Sequence, residues 1–470
     1  MMGFPKRWRR WINACLLSSR ASMLVNGSPT KEFELKRGLR QGDPLSPFLV
    51  ILVMEVLEVF MRRAVRLGLF DCITLSNGGP VLTHLCYADD VIFMGSWSKK
   101  NAMNLKRILR CLQLVSGLKV NVMKSSLMGV GSKEDEVHRM AGLLNCKAGS
   151  LPFLYLGLSV GENMKRIGPW RPIIDKFAKK LSNWKAKTLS MGGRITLAKA
   201  VLGNLPAYYL SIFKAPVKVI NSLEGIRRAF VWGKLGGKNK LQWVAWKKVQ
   251  APKNMGGLGL GEIRSLNWAL LAKWKWRFRN NPTQLWTKVL RAIHGNDNSP
   301  LGIPIKRDRP DVWKDIKSVY DELKKAGVEI TDNTGIVNNN GPIQTFSVAT
   351  FRSFVAEKMG NKTEVGHFTW NRWVPNKVLL FVWRLILGSI ATKAALDHRG
   401  INLGNLECGI CGGDVETVNH LTVECTLVKG VWWHVFNWIK ISVSAQVSDF
   451  NGLLDEVYKH KGSKIWKKNH

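Results

Sequence analysis

The chain has 470 residues, 46% of them hydrophobic and 22% charged, which excludes a disordered polymer and is enough for several globular units. Lysine and arginine total 71 against 33 acids, a formal charge of +38, so the surface must attract polyanions. With 20 tryptophans, large packed units are expected, rather than a small ribosomal or chromatin-type protein. No run reaches the roughly 18 apolar residues of a spanning helix. The start, MMGFPKRWRRWINACLLSS, has too short and broken an apolar block for a secretory signal. Of eight cysteines, five are scattered singly and three cluster near the C-terminus, a pattern suited to an intracellular protein of nucleus or cytoplasm.

In chain order, PLSPFLVILVMEVLEVFMRR begins with Pro44 and Pro47, residues that favour a helix start. Leu49, Leu52, Val53, Val56 and Phe60 follow at helical spacing, with Glu58 and Arg62 paired on another face, so this stretch predicts a buried amphipathic helix. VLTHLCY and VIFMG are short, apolar and partly β-branched, which predicts the two strands of a hairpin with Asp89 and Asp90 at its tip. Two adjacent carboxylates repel each other unless cations neutralise them, and hard ions such as magnesium prefer oxygen ligands. The bland alternative is an Asp-rich turn that holds no ion.

Between Leu151 and Pro300 there are 27 basic residues, 5 acids and nine tryptophans, including the run WALLAKWKWRFRN. Cations interleaved with flat rings suit a nucleic acid strand, although any single tryptophan there is better assigned to a core. GNDNSPLGIPIKRDRPD from Gly295 and TDNTGIVNNNGP from Thr331 read as linkers, because Asn, Gly and Pro favour turns over ladders. Near the C-terminus, CGICGGDVETVNHLTVEC offers Cys408, Cys411, His420 and Cys425. Three thiolates and an imidazole make a closed tetrahedral set for structural zinc, with His398 and His434 as spares off the spacing.

RGLRQGDPLSPFLVILVMEVL, CYADDVIFMG, GLKVNVMKSSLMGVG and LPFLYLGLSVG occur in the order and approximate spacing of reverse transcriptase palm motifs. The sequence resembles the reverse transcriptases of plant LINE-type, non-LTR retrotransposons. The resemblance continues through NWKAKTLSMGGRITLAKAVLGNLPAYYLSIF, WVAWKKVQAPKNMGGLGL and the zinc-binding region of that group. It implies an α+β chain: a partial right-hand palm of antiparallel sheet and helices over 1–160, a basic helical thumb over 161–295, a linker-rich segment over 296–345, a mostly helical zinc-binding domain over 346–440 and a basic tail over 441–470.

It also implies roles. Asp89 would hold magnesium, with Asp90 and Tyr87 beside it. Arg40, Gln41 and Gly42 would lie against template and incoming nucleotide, and Gly42 would let substrate approach the backbone. Lys124, on a strand beside the active site, would contact the departing pyrophosphate. Tyr155, Leu156 and Gly157 would grip the primer. The implied partners are an RNA template and a DNA primer or target.

The family's other catalytic Asp has no counterpart here, since residues 1–42 contain no Asp and only Glu32 and Glu34 as acids. Two-metal phosphoryl transfer needs carboxylates from two strands. The expectation is therefore the C-terminal part of a reverse transcriptase, inactive alone and poorly soluble, but binding nucleic acid. A noncatalytic zinc-containing RNA- or DNA-binding protein is the alternative, and a group II intron maturase-like protein a lesser one.

Overall fold

The computed structural model describes residues 3–35, 39, 42–75, 78–204, 206–233, 241–294, 311–325, 337–338, 341–342, 346–358, 370–371, 373–442 and 447–459. Arg40 and Gln41 lie outside these, as does most of both linker stretches. Within the second linker, Val337–Asn338 nevertheless pairs with Gly341–Pro342, a short ladder where only turns are expected. The chain divides into two units, one drawn from Met1–Glu162 and Asn281–Arg307, the other from Asn163–Asn280 and Asp308–His470.

In the first unit, α1 (Lys6–Leu17) buries none of its residues. The expected long helix is present as α2 (Ser46–Arg66), with proline in its first turn and Arg63 and Arg66 in its last, where cations suit the helix dipole. Its fully buried residues are Leu57, Met61 and Ala64. The five expected positions, Leu49, Leu52, Val53, Val56 and Phe60, are only half-buried. Val53, Val56 and Phe60 nevertheless pack against the core that Leu57, Met61 and Ala64 share with Phe70 and Leu112, so the core-facing side is wider than the expected stripe and most deeply buried beside it.

The expected hairpin is β1 (His84–Tyr87) paired antiparallel with β2 (Asp90–Phe93), followed by α3 (Lys99–Ser116). Val91 and Phe93 pack against the core of α2 and α3, while Leu85 and Tyr87 stay exposed. The alternation of a strand therefore seats one face and leaves the other open. α3 starts where the Ser98 hydroxyl accepts the Asn101 N–H and ends at Gly117 in left-handed backbone. β3 (Ser126–Met128) runs parallel to β4 (Lys147–Gly149) across α4 (Glu134–Leu144). β5 (Phe153–Tyr155) and β6 (Leu158–Val160) form a second antiparallel hairpin. Among the described residues the strands make seven two-stranded ladders instead of one antiparallel sheet, and one of the seven is parallel. The chain is thus mixed helix and small sheets.

The second unit is mostly helical: α5 (Arg171–Lys180), α6 (Met191–Asn204), α7 (Val217–Trp232), α8 (Ile263–Asn280), α9 (Val312–Lys325), α10 (Val348–Lys358), α11 (Asn376–Ile386), α12 (Thr426–Ile439) and α13 (Phe450–Lys459). Trp170, Phe177, Leu210, Val219, Leu223 and Trp383 are buried in one core. Of the nine tryptophans between Leu151 and Pro300, Trp170, Trp232 and Trp268 are buried, and Trp243, Trp246, Trp274, Trp276 and Trp286 half-buried. The side chain of Trp184 is not described. None of the eight whose burial is described is exposed, in line with the assignment of each single tryptophan here to a core, and five of them keep part of their surface open.

A buried ion pair locks the glycine-rich run after Trp246. Arg227, fully buried, donates to both Glu224 carboxylate oxygens at 3.0 Å and to the Leu260 carbonyl at 2.9 Å. The same carboxylate accepts from Trp246 Nε1 and from the Ile263 N–H that opens α8. A Cβ at Gly257 would collide with the Ala251 backbone, and one at Gly261 with the Arg352 guanidinium. No described helix is long and apolar enough to cross a membrane.

Candidate functional site

Two sites emerge, one in each unit. In the first unit, Tyr87 pairs with Asp90 across a two-residue loop of Ala88 and Asp89, so the acid pair does stand at a hairpin tip. Ala88 has φ +51°, the left-handed value demanded at the first position of a tight hairpin turn, where glycine is preferred. Asp89 and Asp90 are both exposed. Tyr155, at the end of β5, lies within electrostatic reach of this tip. Burial first, and then the Asp90 carboxylate and Cys86, hold its hydroxyl above the ordinary range. Leu156 and Gly157, at φ +49° and +80°, form the loop between β5 and β6.

Gly42 sits in left-handed backbone at φ +87° and a Cβ there would meet nothing within 4 Å, so turn geometry accounts for the glycine. Next to it the Asp43 side chain accepts the Leu45 N–H at 2.8 Å, leading into α2. Lys124 is in a turn ahead of β3, not on a strand, its N–H bonded back to Asn121. The strand begins at Ser126, two residues after the lysine.

Behind the hairpin, sequence reasoning missed two supports. The His84 ring contacts the Thr83 hydroxyl through Nδ1 at 2.8 Å and lies 3.6 Å from Glu58 through Nε2, while Glu58 pairs with Arg62 at 2.7 Å. Burial pulls the imidazole below its ordinary value of 6.5, and Glu58 opposes that. Asn101, buried, accepts the Asp71 N–H and donates to the carbonyls of Asp71 and Ser96. This staple is why Gly95 has no side chain: a Cβ would meet Asn101 and the Asp71 carbonyl, both at 2.7 Å. The glycine was visible in VIFMG, but its partner 6 positions on carried no signal.

In the second unit, Cys408, Cys411, His420 and Cys425 converge, their ligand atoms all within 4.8 Å of one another. Cys408 and Cys411 flank a turn pinned by the Cys408 N–H to Asp414 and the Gly412 N–H to Cys408, with Gly412 at φ +68°. His420 and Cys425 end a single π-helical turn, His420–Glu424, closed by the Cys425 N–H to the His420 carbonyl. The wider turn brings an i,i+5 pair of ligands to one side, a geometry that spacing alone did not reveal. His420 Nδ1 faces Asp414 at 3.8 Å and Nε2 faces Cys411 Sγ at 3.3 Å, which leaves Nε2 as the ligand atom. Backbone N–H donation, chiefly from Cys411, lowers the Cys408 thiol to about 7, which favours the thiolate a metal needs. The donor set fits zinc: soft sulfurs and one imidazole, buried or half-buried, with no open position. His398 and His434 are exposed and not part of this group.

The reverse transcriptase (RNA-dependent DNA polymerase) profile matches residues 1–160, and the profile for zinc-binding in reverse transcriptase matches residues 346–432, spanning all four ligands. The chain belongs to the reverse transcriptase family. A candidate ribonuclease H protein of Arabidopsis thaliana is 40% identical over 344 residues, covering 56% of this chain and 55% of that protein. An uncharacterised mitochondrial protein of the same plant is 39% identical over 109 residues, covering 23% of this chain and 88% of the relative. The retrovirus-related Pol polyprotein from the type-2 retrotransposable element R2DM of Drosophila melanogaster is 24% identical over 278 residues, covering 56% and 24%. Within that family the chain is of the LINE, non-LTR retrotransposon type, and it spans about half the length of the first of these relatives.

Proposed function

We propose that this stretch of a non-LTR reverse transcriptase holds an RNA template with a DNA primer or target, and that Asp89 and Asp90 form one side of the magnesium site for RNA-directed DNA synthesis. The observation that carries the reading is the hairpin tip: two exposed acids, Asp89 in the two-residue loop and Asp90 opening β2, within electrostatic reach of Tyr155. In this reading residues 1–160 are a partial palm, 161–295 the basic thumb, 296–345 a linker, 346–440 the zinc domain and 441–470 a basic tail. Tyr155, Leu156 and Gly157 grip the primer, Gly42 with Arg40 and Gln41 lies against template and nucleotide, and Lys124 reaches the pyrophosphate from its turn.

In this reading the acid pair supplies one side of a two-metal site. Such a site bridges two ions about 4 Å apart with carboxylates from separate strands. Here both acids come from one hairpin, and no third His, Cys, Asp or Glu groups with them among the described residues. No phosphoryl-transfer step is therefore assigned to this chain. Cys408, Cys411, His420 and Cys425 would hold zinc, which supplies a structural cross-link there.

Binding is tested by titrating the chain into a labelled RNA–DNA hybrid at several salt concentrations. With phosphate contacts dominant, affinity falls steeply and linearly on a log–log plot; a flat salt dependence, or no binding, sinks the reading. A second reading, a noncatalytic zinc-containing RNA- or DNA-binding protein, is favoured by the same one-sided acid pair. The Cys3His group favours the LINE lineage over a group II intron maturase.

A further inference from the structure

Ile401 to Val428 holds four acids, Glu407, Asp414, Glu416 and Glu424, and no lysine or arginine, in a chain of charge +38. Glu416 is engaged by the backbone N–H groups of Lys393 and Gly409, while Glu407, Asp414 and Glu424 are exposed. Three thiolates around one dication add a further negative charge when the ion is bound. Lys393, whose Nζ donates to the Glu407 carbonyl at 2.7 Å, and Lys429, just past Val428, are the nearby cations in the sequence, so the stretch that holds the four cysteine and histidine side chains carries more acid than base.

The same region is apolar. Ile410, between the first two ligands, is 51% exposed. Helix α12, which follows the last ligand directly, buries none of its residues. Leu427, Val431 and Trp438 are 58%, 61% and 81% exposed, and with His434 they fall at i, i+4, i+7 and i+11, a single stripe along one side. Another side leans on the π-helical turn, where Trp432 Nε1 donates to the Thr422 carbonyl at 2.7 Å. Scattered exposed apolar side chains need no explanation, but an aligned stripe beside an acidic patch does.

We propose that the zinc module and α12 together form a docking surface for a basic, helix-forming segment of a protein partner. Apolar side chains of the partner lie along the stripe, and its lysines or arginines meet Glu407, Asp414 and Glu424. Charge selects this occupant. A nucleic acid would bring phosphates to Glu407, Asp414 and Glu424, and a second copy would offer the same acids beside a helix whose own charges, Lys429 and the C-cap Lys440, are at its ends.

The test uses the zinc-loaded full chain and a fluorescent peptide of about 18 residues, long enough to form a helix, with leucine at i, i+3, i+4 and i+7 and lysine elsewhere. Saturable binding is expected, weakened at least about tenfold by Trp438→Ala and by Glu407→Lys, with zinc content unchanged because both side chains are exposed. A peptide with glutamate in place of lysine should not bind. Peptide affinity indifferent to both substitutions overturns the proposal. So does single-stranded oligonucleotide binding that Trp438→Ala abolishes, which would assign the face to nucleic acid, and so does a concentration-dependent dimer that the same substitution abolishes, which would assign it to a second copy.

Discussion

His84 shows how a single side chain reports on the hairpin. Its ring is wedged between Thr83 and Glu58 behind the acid pair, with burial lowering its affinity for a proton. A histidine held below its unfolded value of 6.5 takes up a proton more readily when unfolded, so the stability it contributes is complete above that pH and is lost as pH falls below it. The thermal midpoint of the first unit should therefore decline from pH 7 toward pH 5, and His84→Gln should flatten that decline. A midpoint that rises on acidification would mean that Glu58, not burial, governs the ring. The Cys3His group is the residue-scale counterpart in the second unit. Cys411→Ser should remove one equivalent of zinc and unfold the module, while α8 and α9 remain helical; unchanged metal content and melting would count against the assignment.

Among the elements, the loop and helix ends carry the strain and the polar cost. The Glu224–Arg227 pair joins α7 to the start of α8 and to the glycine-rich run, with Arg227 fully buried. Glu224→Ala leaves that guanidinium without its carboxylate, and the expected loss is about 3–5 kcal/mol, measured by urea denaturation. A loss under about 1 kcal/mol, the usual worth of a surface pair, would show that the pair is more hydrated than its burial implies.

Elements such as α2 and the β1–β2 hairpin were legible because periodicity and the flanking residues act locally. What the sequence did not reveal was the outcome of long-range competition. The buried face of α2 widened beyond the expected stripe to Leu57, Met61 and Ala64, which meet Phe70 and Leu112. In the Cys3His group, the four residues could be read from spacing, whereas the π-helical turn that aims two of them, and the 3.8 Å approach of Asp414 to His420, depend on backbone geometry. Lys124 left the strand for a turn closed by Asn121, a hydrogen bond that no apolar pattern encodes.

Across the whole molecule, charge is the dominant feature, and it is unevenly distributed: basic between Leu151 and Pro300, acidic between Ile401 and Val428. The open face of the β1–β2 hairpin, with Leu85 and Tyr87 exposed, and the 73% exposed Leu154 on β5 add apolar surface to the first unit. A labelled RNA–DNA hybrid should associate with a salt slope of several units. Neutralising α5 through Lys176→Ala, Lys179→Ala and Lys180→Ala should lower that slope by up to about one unit for each phosphate the helix no longer neutralises. An unchanged slope would place the phosphate-binding cations elsewhere.

The central claim is that the acid pair is one side of a polymerase metal site on a chain that still holds primer and template. Primer extension on an RNA template with magnesium, comparing the chain with Asp89→Asn, tests it most directly. The prediction is that both proteins retain the primer–template in a mobility shift and neither extends it. Extension by the unaltered chain that disappears with Asp89→Asn would contradict it.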